Sequence, residues 1–250
     1  MMTNDTLTKM NQLKLYGMAH AFTQQIESAS ASHLSFEERI SLMIDHEVTY
    51  RDDRRLQRLL ASAKLREPAC FEDIDYEARR GIDRAAMASL GLCNWVQHGV
   101  NAIITGATGL GKTWLACALG NQACRQGMTV KFERVPLLLE DLALAHAERT
   151  FSKRIAALAK FDLLILDDLG INALTADRRS DLLEAIECRS GRKSILVTSQ
   201  LPVKRWHDYL ADSNPTVAEA IMDRIVSGAH RIELVGESMR PKRKPKADKK

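Results

Sequence analysis

The chain has 250 residues, 45% of them apolar and 27% charged, with a formal net charge of +4. That balance excludes a disordered or fibrous protein, and the length allows one sizeable core plus a smaller appendage. No apolar run approaches the roughly 20 residues of a membrane span, and Met1-Met2-Thr3-Asn4-Asp5 lacks the layout of a signal peptide, so a cytoplasmic protein without membrane contact is expected.

Residues 6–66 have helical periodicity and almost no glycine or proline. Met10, Leu13, Gly17, Ala21 and Phe22 form a weak first stripe. Ser35-Phe36-Glu37-Glu38 reads as a capping box with Leu34 as the staple residue before it. The helix it opens carries Ile40, Met43, Ile44, Glu47 and Val48. Further on, Leu56, Leu59, Leu60 and Ala63 follow helical spacing, with Arg54, Arg55, Arg58 and Lys64 mostly off that stripe. This basic face is either a solvated helix surface or a set of contacts to DNA phosphates. Glu67-Pro68 stops the helix, so residues 1–68 are expected to form a small all-α N-terminal domain that touches DNA or a partner. Glu72-Asp73-Ile74-Asp75 reads as linker.

From Gly81 the pattern alternates between helices and apolar runs, which predicts a parallel α/β sheet flanked by helices. Ile103-Ile104 is a short strand running into Gly106-Ala107-Thr108-Gly109-Leu110-Gly111-Lys112-Thr113, the Walker A pattern G-x-x-x-x-G-K-[ST]. Its glycines let successive backbone N–H groups point inward around phosphate oxygens, and the next helix aims its positive end at the same anion. Lys112 can reach the β- and γ-phosphates, and the Thr113 hydroxyl can ligate Mg²⁺. A nucleotide phosphate and Mg²⁺ are therefore the expected ligands. The helix that follows stops at Gly127, Val130 and Phe132 alternate as a second strand, and Pro136 sits in the favoured first position of another helix.

Phe161–Asp168 is an apolar strand ending in Asp167-Asp168, a Walker B segment whose carboxylates fall where ligand sites of open α/β sheets lie. Asp167 would hold Mg²⁺, directly or through water, and Asp168 would orient and deprotonate the attacking water. Thr175 is placed to cap the next helix. The strand Ser194–Ser199 ends at Thr198-Ser199-Gln200, which can offer a polar side chain to the γ-phosphate or the water. Thr216-Val217-Ala218-Glu219 reads as a second capping box, opening a helix with Arg224, either a surface ion-pair former or an arginine finger. His230–Val235 is the last strand. The five cysteines form no C-x-x-C pair or metal-ligand spacing, as expected of reduced thiols. Arg240–Lys250 carries seven Lys/Arg and one Asp, so the rest of the chain has a net charge of −2. This basic tail reads as disordered, either binding a polyanion or simply solvated.

Five blocks carry a resemblance: GATGLGKTWLACALG (Gly106–Gly120), LILDDLG (Leu164–Gly170), VTSQLPVKRW (Val197–Trp206), AIMDRI (Ala220–Ile225) and GESMR (Gly236–Arg240). In this order they resemble the IstB helper ATPases of insertion-sequence transposition and, more distantly, the DnaC-type helicase loaders, both within the AAA+ ATPases. The resemblance implies a P-loop AAA+ domain over residues 69–240, between the helical residues 1–68 and the tail at 241–250. It also implies an ATP-dependent homo-oligomer with active sites at subunit interfaces, which binds duplex DNA largely without sequence preference and recruits or regulates a transposase. Carried over by position, Gly106–Thr113 hold ATP and Mg²⁺ with Asp167 as the second metal-side group. Asp168 stands where most AAA+ proteins have Glu and is one methylene shorter, so efficient hydrolysis is expected to wait for DNA or a partner. Gln200 takes the first-sensor position, where the family mostly has Asn. Arg224 becomes the finger acting on the neighbouring subunit's ATP. Arg240 becomes the second sensor, next to Met239 where an aromatic is usual. Two other functions compete: a DnaC-like loader of a replicative helicase, and an ATP-gated assembly module that hardly hydrolyses.

Overall fold

A computed structural model of the chain describes residues 2–28, 33–78, 80–211 and 215–239. The chain divides into two compact units, Met1–Arg58 and Leu59–Lys250. Among the described residues no helix is long and apolar enough to cross a membrane.

The first unit is helical: α1 (Met2–Gln12), α2 (Tyr16–Glu27) and most of α3 (Phe36–Ala63). Gly17 lets α2 touch the backbone of α3, because a Cβ there would stand 2.5 Å from His46 O. The buried Glu47 carboxylate accepts from the Met18 amide (3.1 Å) and from Arg51 Nε (2.7 Å), tying the two helices together. The capping box at Ser35 is formed in both directions: Ser35 N donates to Glu38 Oε2 (2.7 Å) and Glu38 N to Ser35 Oγ (3.2 Å). The apolar stripe differs from the expected one. Met43 is buried, whereas Ile44 and Val48 face outward.

The compact units divide between Arg58 and Leu59, whereas the sequence reading put the domain boundary at residue 68. Leu59 to Pro68 group with the second unit, where Ala63 and Ala69 are wholly buried. Lys64 is also displaced from the basic helical face: α3 ends at Ala63, and Lys64 follows in the left-handed region at φ 52°.

After the end of α3, the second unit continues with a single turn at Phe71–Asp73, α4 (Arg84–Gly91) and α5 (Asn94–Gln97), then builds a five-stranded sheet. Its strands are β1 (Ala102–Gly106), β2 (Val130–Arg134), β3 (Leu163–Leu169), β4 (Ser194–Ser199) and β5 (His230–Leu234), all parallel in the order β2-β3-β4-β1-β5. Parallel neighbours need crossovers, and helices supply them: α6 (Lys112–Arg125), α7 (Val135–Ala147) with α8 (Phe151–Leu158), α9 (Ala176–Glu187), and α10 (Trp206–Ala211) with α11 (Pro215–Val226). Helices on both faces explain why the strands read as apolar runs; every residue of β4 is buried. Pro136 lies in the first turn of α7, and Thr175 caps α9 by accepting from Arg178 N (3.4 Å). The second capping box is displaced. α11 starts at Pro215, so Thr216 lies inside its first turn and not at its cap.

The base of the sheet is fastened by Arg189, whose side chain is fully buried. Its Nη1 donates to Leu158 O (2.5 Å), and its Nη2 to Phe161 O (2.8 Å) and Ser194 O (2.9 Å), joining the end of α8 to the starts of β3 and β4. Burial pulls its pKa down to about 10, so it stays charged at neutral pH. Arg189→Met keeps the bulk but strands three carbonyls, and the expected loss in urea unfolding is about 2–4 kcal/mol. Lys153→Ala, on an exposed helical face, is the matched control, with an expected change under about 0.5 kcal/mol.

Candidate functional site

The loop between β1 and α6 is shaped by its glycines. Gly106 leaves the strand at φ 146° with Leu234 O where a Cβ would sit, 2.4 Å away. Gly109, at φ 88°, has Ser238 Oγ in the corresponding place at 2.2 Å, and Met239 N donates to Gly109 O (2.9 Å). The Gly236–Met239 stretch is therefore a strap laid against the loop. From the other side the buried Arg80 braces it, with Nη1 on Leu110 O (3.2 Å) and Nη2 on Asp75 O (2.8 Å). Gly111 then opens α6 at φ 85°, no side chain caps the helix, and the positive end of its dipole faces the loop. Lys112 is buried at the same point, its ammonium donating to Gly106 O (2.8 Å) and Ala107 O (2.9 Å). Leu110 packs into the core and shapes the loop through its backbone.

Asp167 stands at the C-terminal end of β3 with no exposed surface. It accepts hydrogen bonds from Thr113 Oγ1 (2.9 and 3.1 Å to its two oxygens) and from Thr198 Oγ1 (2.6 Å). Burial pushes its pKa up in spite of these donors, which makes it a carboxylate suited to a cation. The Thr113 hydroxyl and the Asp167 carboxylate are hard oxygen donors, and Mg²⁺ is characteristically held by one or two such groups together with phosphate oxygens. The site therefore fits that ion.

Immediately after Asp167 the β3–β4 register slips, Leu166 pairing with Val197 but Leu169 with Ser199. This bulge turns Asp168 into the left-handed region at φ 68°, with its amide donating to Thr198 Oγ1 (3.0 Å). Two adjacent carboxylates thus have different surroundings. Asp168 Oδ2 is gripped by both Nε (3.0 Å) and Nη2 (2.8 Å) of Arg134, the last residue of β2.

A cavity of about 550 Å³ collects Thr108, Gly109, Gly111, Lys112, Thr113, Asp168 and Gln200. Gln200 Oε1 accepts from Thr108 Oγ1 (2.8 Å), so the loop after β4 is tied to the phosphate loop. Ala107 is exposed on the turn. Arg240 lies outside the described residues, as does the tail at 241–250. Arg224 is not part of this cavity, and Arg54, Arg55 and Arg58 are exposed on α3 in the first unit. Sequence reasoning named Thr198 as part of the polar strand end Thr198-Ser199-Gln200, but it did not single out Arg66, Arg80 or Arg134. Arg134 is the only one with a legible signal, as a charged residue ending the strand that pairs with β3. Arg66 and Arg80 come from a stretch read as helix end and linker.

The chain matches the family described as IstB-like ATP binding protein over residues 8–247. It is 44% identical, over 99% of its length and all of the relative's, to a protein of Sinorhizobium fredii named as an insertion sequence ATP-binding protein. It is 47% identical over 81% of its length to an IS1162 ATP-binding protein of Pseudomonas fluorescens, covering 88% of that relative. Among solved structures, DnaI aligns with a TM-score of 0.57 at 23% identity, over 67% of this chain and 92% of that one. The DnaC helicase loader aligns with a TM-score of 0.55 at 20% identity, over 67% and 97%. These likenesses show the fold, a P-loop AAA+ domain.

Gly109→Ala forces a Cβ into Ser238 at a positive φ, and its affinity for a fluorescent ATP analogue is expected to fall more than about tenfold. Gly191→Ala also sits at positive φ (68°) but with nothing within 4 Å; it is expected to lose about 1 kcal/mol of stability and to keep nucleotide affinity. Equal affinities for the two variants would contradict this picture of the loop.

Proposed function

The chain belongs to the IstB-like ATP-binding proteins, and on that premise we propose that it is an ATPase of insertion-sequence transposition. On this reading it assembles on target duplex DNA as a homo-oligomer, hydrolyses ATP at subunit interfaces, and recruits or regulates a transposase in the cytoplasm.

One observation carries the interface reading. The Arg224 carbonyl accepts from Asn101 Nδ2 (2.7 Å), and Asn101 stands just before β1, where its backbone O also accepts from His230 N (2.9 Å). Arg224 is thereby fixed at the N-terminal edge of the sheet. The phosphate loop leaves the opposite end of the five-residue β1, roughly 16 Å away, farther than an arginine side chain reaches. A finger role for Arg224 has to be exercised on another subunit's nucleotide. Its side chain is already held, with Nε paired to Glu187 and Nη1 on Ala220 O (2.9 Å).

Within the subunit, the loop amides and Lys112 would hold the phosphates, and Thr113 with Asp167 the Mg²⁺, which neutralises developing charge when bound. Asp168 is the base for the attacking water. Its grip by Arg134 supports slow hydrolysis in the isolated protein, because the guanidinium occupies the Oδ2 oxygen and leaves less room for a water there. Duplex binding rests on Arg51, Arg54, Arg55 and Arg58, all exposed and spaced i, i+3, i+4, i+7 along α3.

Three outcomes are expected. ATP turnover per subunit rises with protein concentration, and Arg224→Ala abolishes that rise; a constant turnover at all concentrations sinks the interface reading. Arg134→Ala speeds DNA-free hydrolysis several-fold, as read by phosphate release, whereas an unchanged or lower rate shows that Arg134 does not restrain Asp168. In fluorescence anisotropy, ATP-dependent binding to unrelated duplexes weakens with salt, and each of Arg54→Ala, Arg55→Ala and Arg58→Ala reduces the salt slope by about 1. A preference for single strands would favour a helicase-loader function instead.

A further inference from the structure

Leu65 to Glu67 lie along α6 and lead toward the nucleotide cavity. At Gly120 a Cβ would stand 3.0 Å from Leu65 Cδ2 and 2.8 Å from Ile165 Cδ1, so the missing side chain lets Leu65 pack onto the helix. One turn closer to the phosphate loop, the thiol of Cys117 meets the backbone amides of Arg66 and Glu67. One further turn on is Thr113, and there the Arg66 guanidinium stands 3.9 Å from Asp167 Oδ2, in the same cavity as Lys112, Thr113 and Asp168. Three successive turns of one helix thus deliver a cation to the metal-side carboxylate.

The contact itself is loose. A separation of 3.9 Å is an ion pair without a hydrogen bond, and the Arg66 side chain keeps 49% of its surface exposed. Asp167 takes its hydrogen bonds from Thr113 and Thr198, so its position does not depend on Arg66. A guanidinium with a planar fork of donors, held by its backbone but not by its head, is suited to a phosphate.

We propose that Arg66 is a phosphate-binding residue acting within its own subunit, which recognises the terminal phosphate of ATP and makes the site prefer ATP over ADP. The head moves from Asp167 to the γ-phosphate when ATP with its Mg²⁺ enters, and returns to Asp167 when only ADP is present. This rests on the ATP-binding reading of the cavity and is independent of Arg224, which comes from a neighbouring subunit.

The test is calorimetric titration of the full chain with ADP and with a non-hydrolysable ATP analogue, each with Mg²⁺. Wild type is expected to bind the analogue more tightly than ADP. Arg66→Ala is expected to weaken the analogue about tenfold and ADP less than about twofold, with Arg66→Lys between wild type and Arg66→Ala. Retained ADP binding also reports that the variant is folded; if the alanine variant fails to fold, Arg66→Gln repeats the comparison. An equal loss for both nucleotides would make Arg66 a structural brace, and no loss for either would make it a bystander; both results overturn the proposal. Should wild type bind neither nucleotide, the ATP-binding reading falls and takes this one with it. Lys112→Ala, expected to weaken both nucleotides alike, separates the two failures.

Discussion

Everything at the nucleotide end of the sheet depends on one buried carboxylate. Asp167 is reached by a hydroxyl from α6 (Thr113) and by one from β4 (Thr198), while belonging itself to β3. A buried carboxylate left without donors would be costly, so these bonds fix the start of the phosphate-loop helix against two strands of the sheet. The same Thr198 hydroxyl accepts from the Asp168 amide and so holds the bulge in place. Asp167 and Asp168 are thus both positioned by one threonine.

Around this point the loop is braced on both sides. Arg80 bonds it below, and the Gly236–Met239 strap presses on it above, which gives a physical reason for the glycines at 106 and 109 beyond the phosphate cradle itself. Arg134 adds a second constraint from β2. It is the residue from which α7 departs, so a change in the position of that helix would reach Asp168 through one side chain. On the proposed reading, this is how a slow basal ATPase is built from parts each suited to hydrolysis.

Much of this was legible in the sequence because the signals are local. A G-x-x-x-x-G-K-T run between a strand and a helix, an apolar strand ending in two carboxylates, and Ser35 three residues before Glu38 each carry their own geometry. What sequence missed depends on register and on segments packing at a distance. Nothing local says that Arg134 lies beside Asp168; that follows only from the pairing of β2 with β3. Arg66 looked like the end of a helix, because the residues it meets, Cys117 and Asp167, are far away in sequence. Ile44 and Val48 fit a helical stripe yet face outward, while the charged Glu47 is buried by its hydrogen bonds to α2. The displaced box at Thr216 has the simplest cause: Pro215 is favoured as a first helical residue, so the helix begins before Thr216.

The central claim is that each active site is completed by another subunit, and mixing two inactive variants tests it most directly. Arg224→Ala subunits keep an intact Asp168 but offer no finger. Asp168→Asn subunits keep the finger but cannot activate water. Measured alone, each is expected to be inactive, and mixed in equal amounts with DNA present they are expected to regain a substantial fraction of wild-type hydrolysis. A mixture no more active than its parts, under conditions where the two variants are seen to co-assemble, would contradict the account.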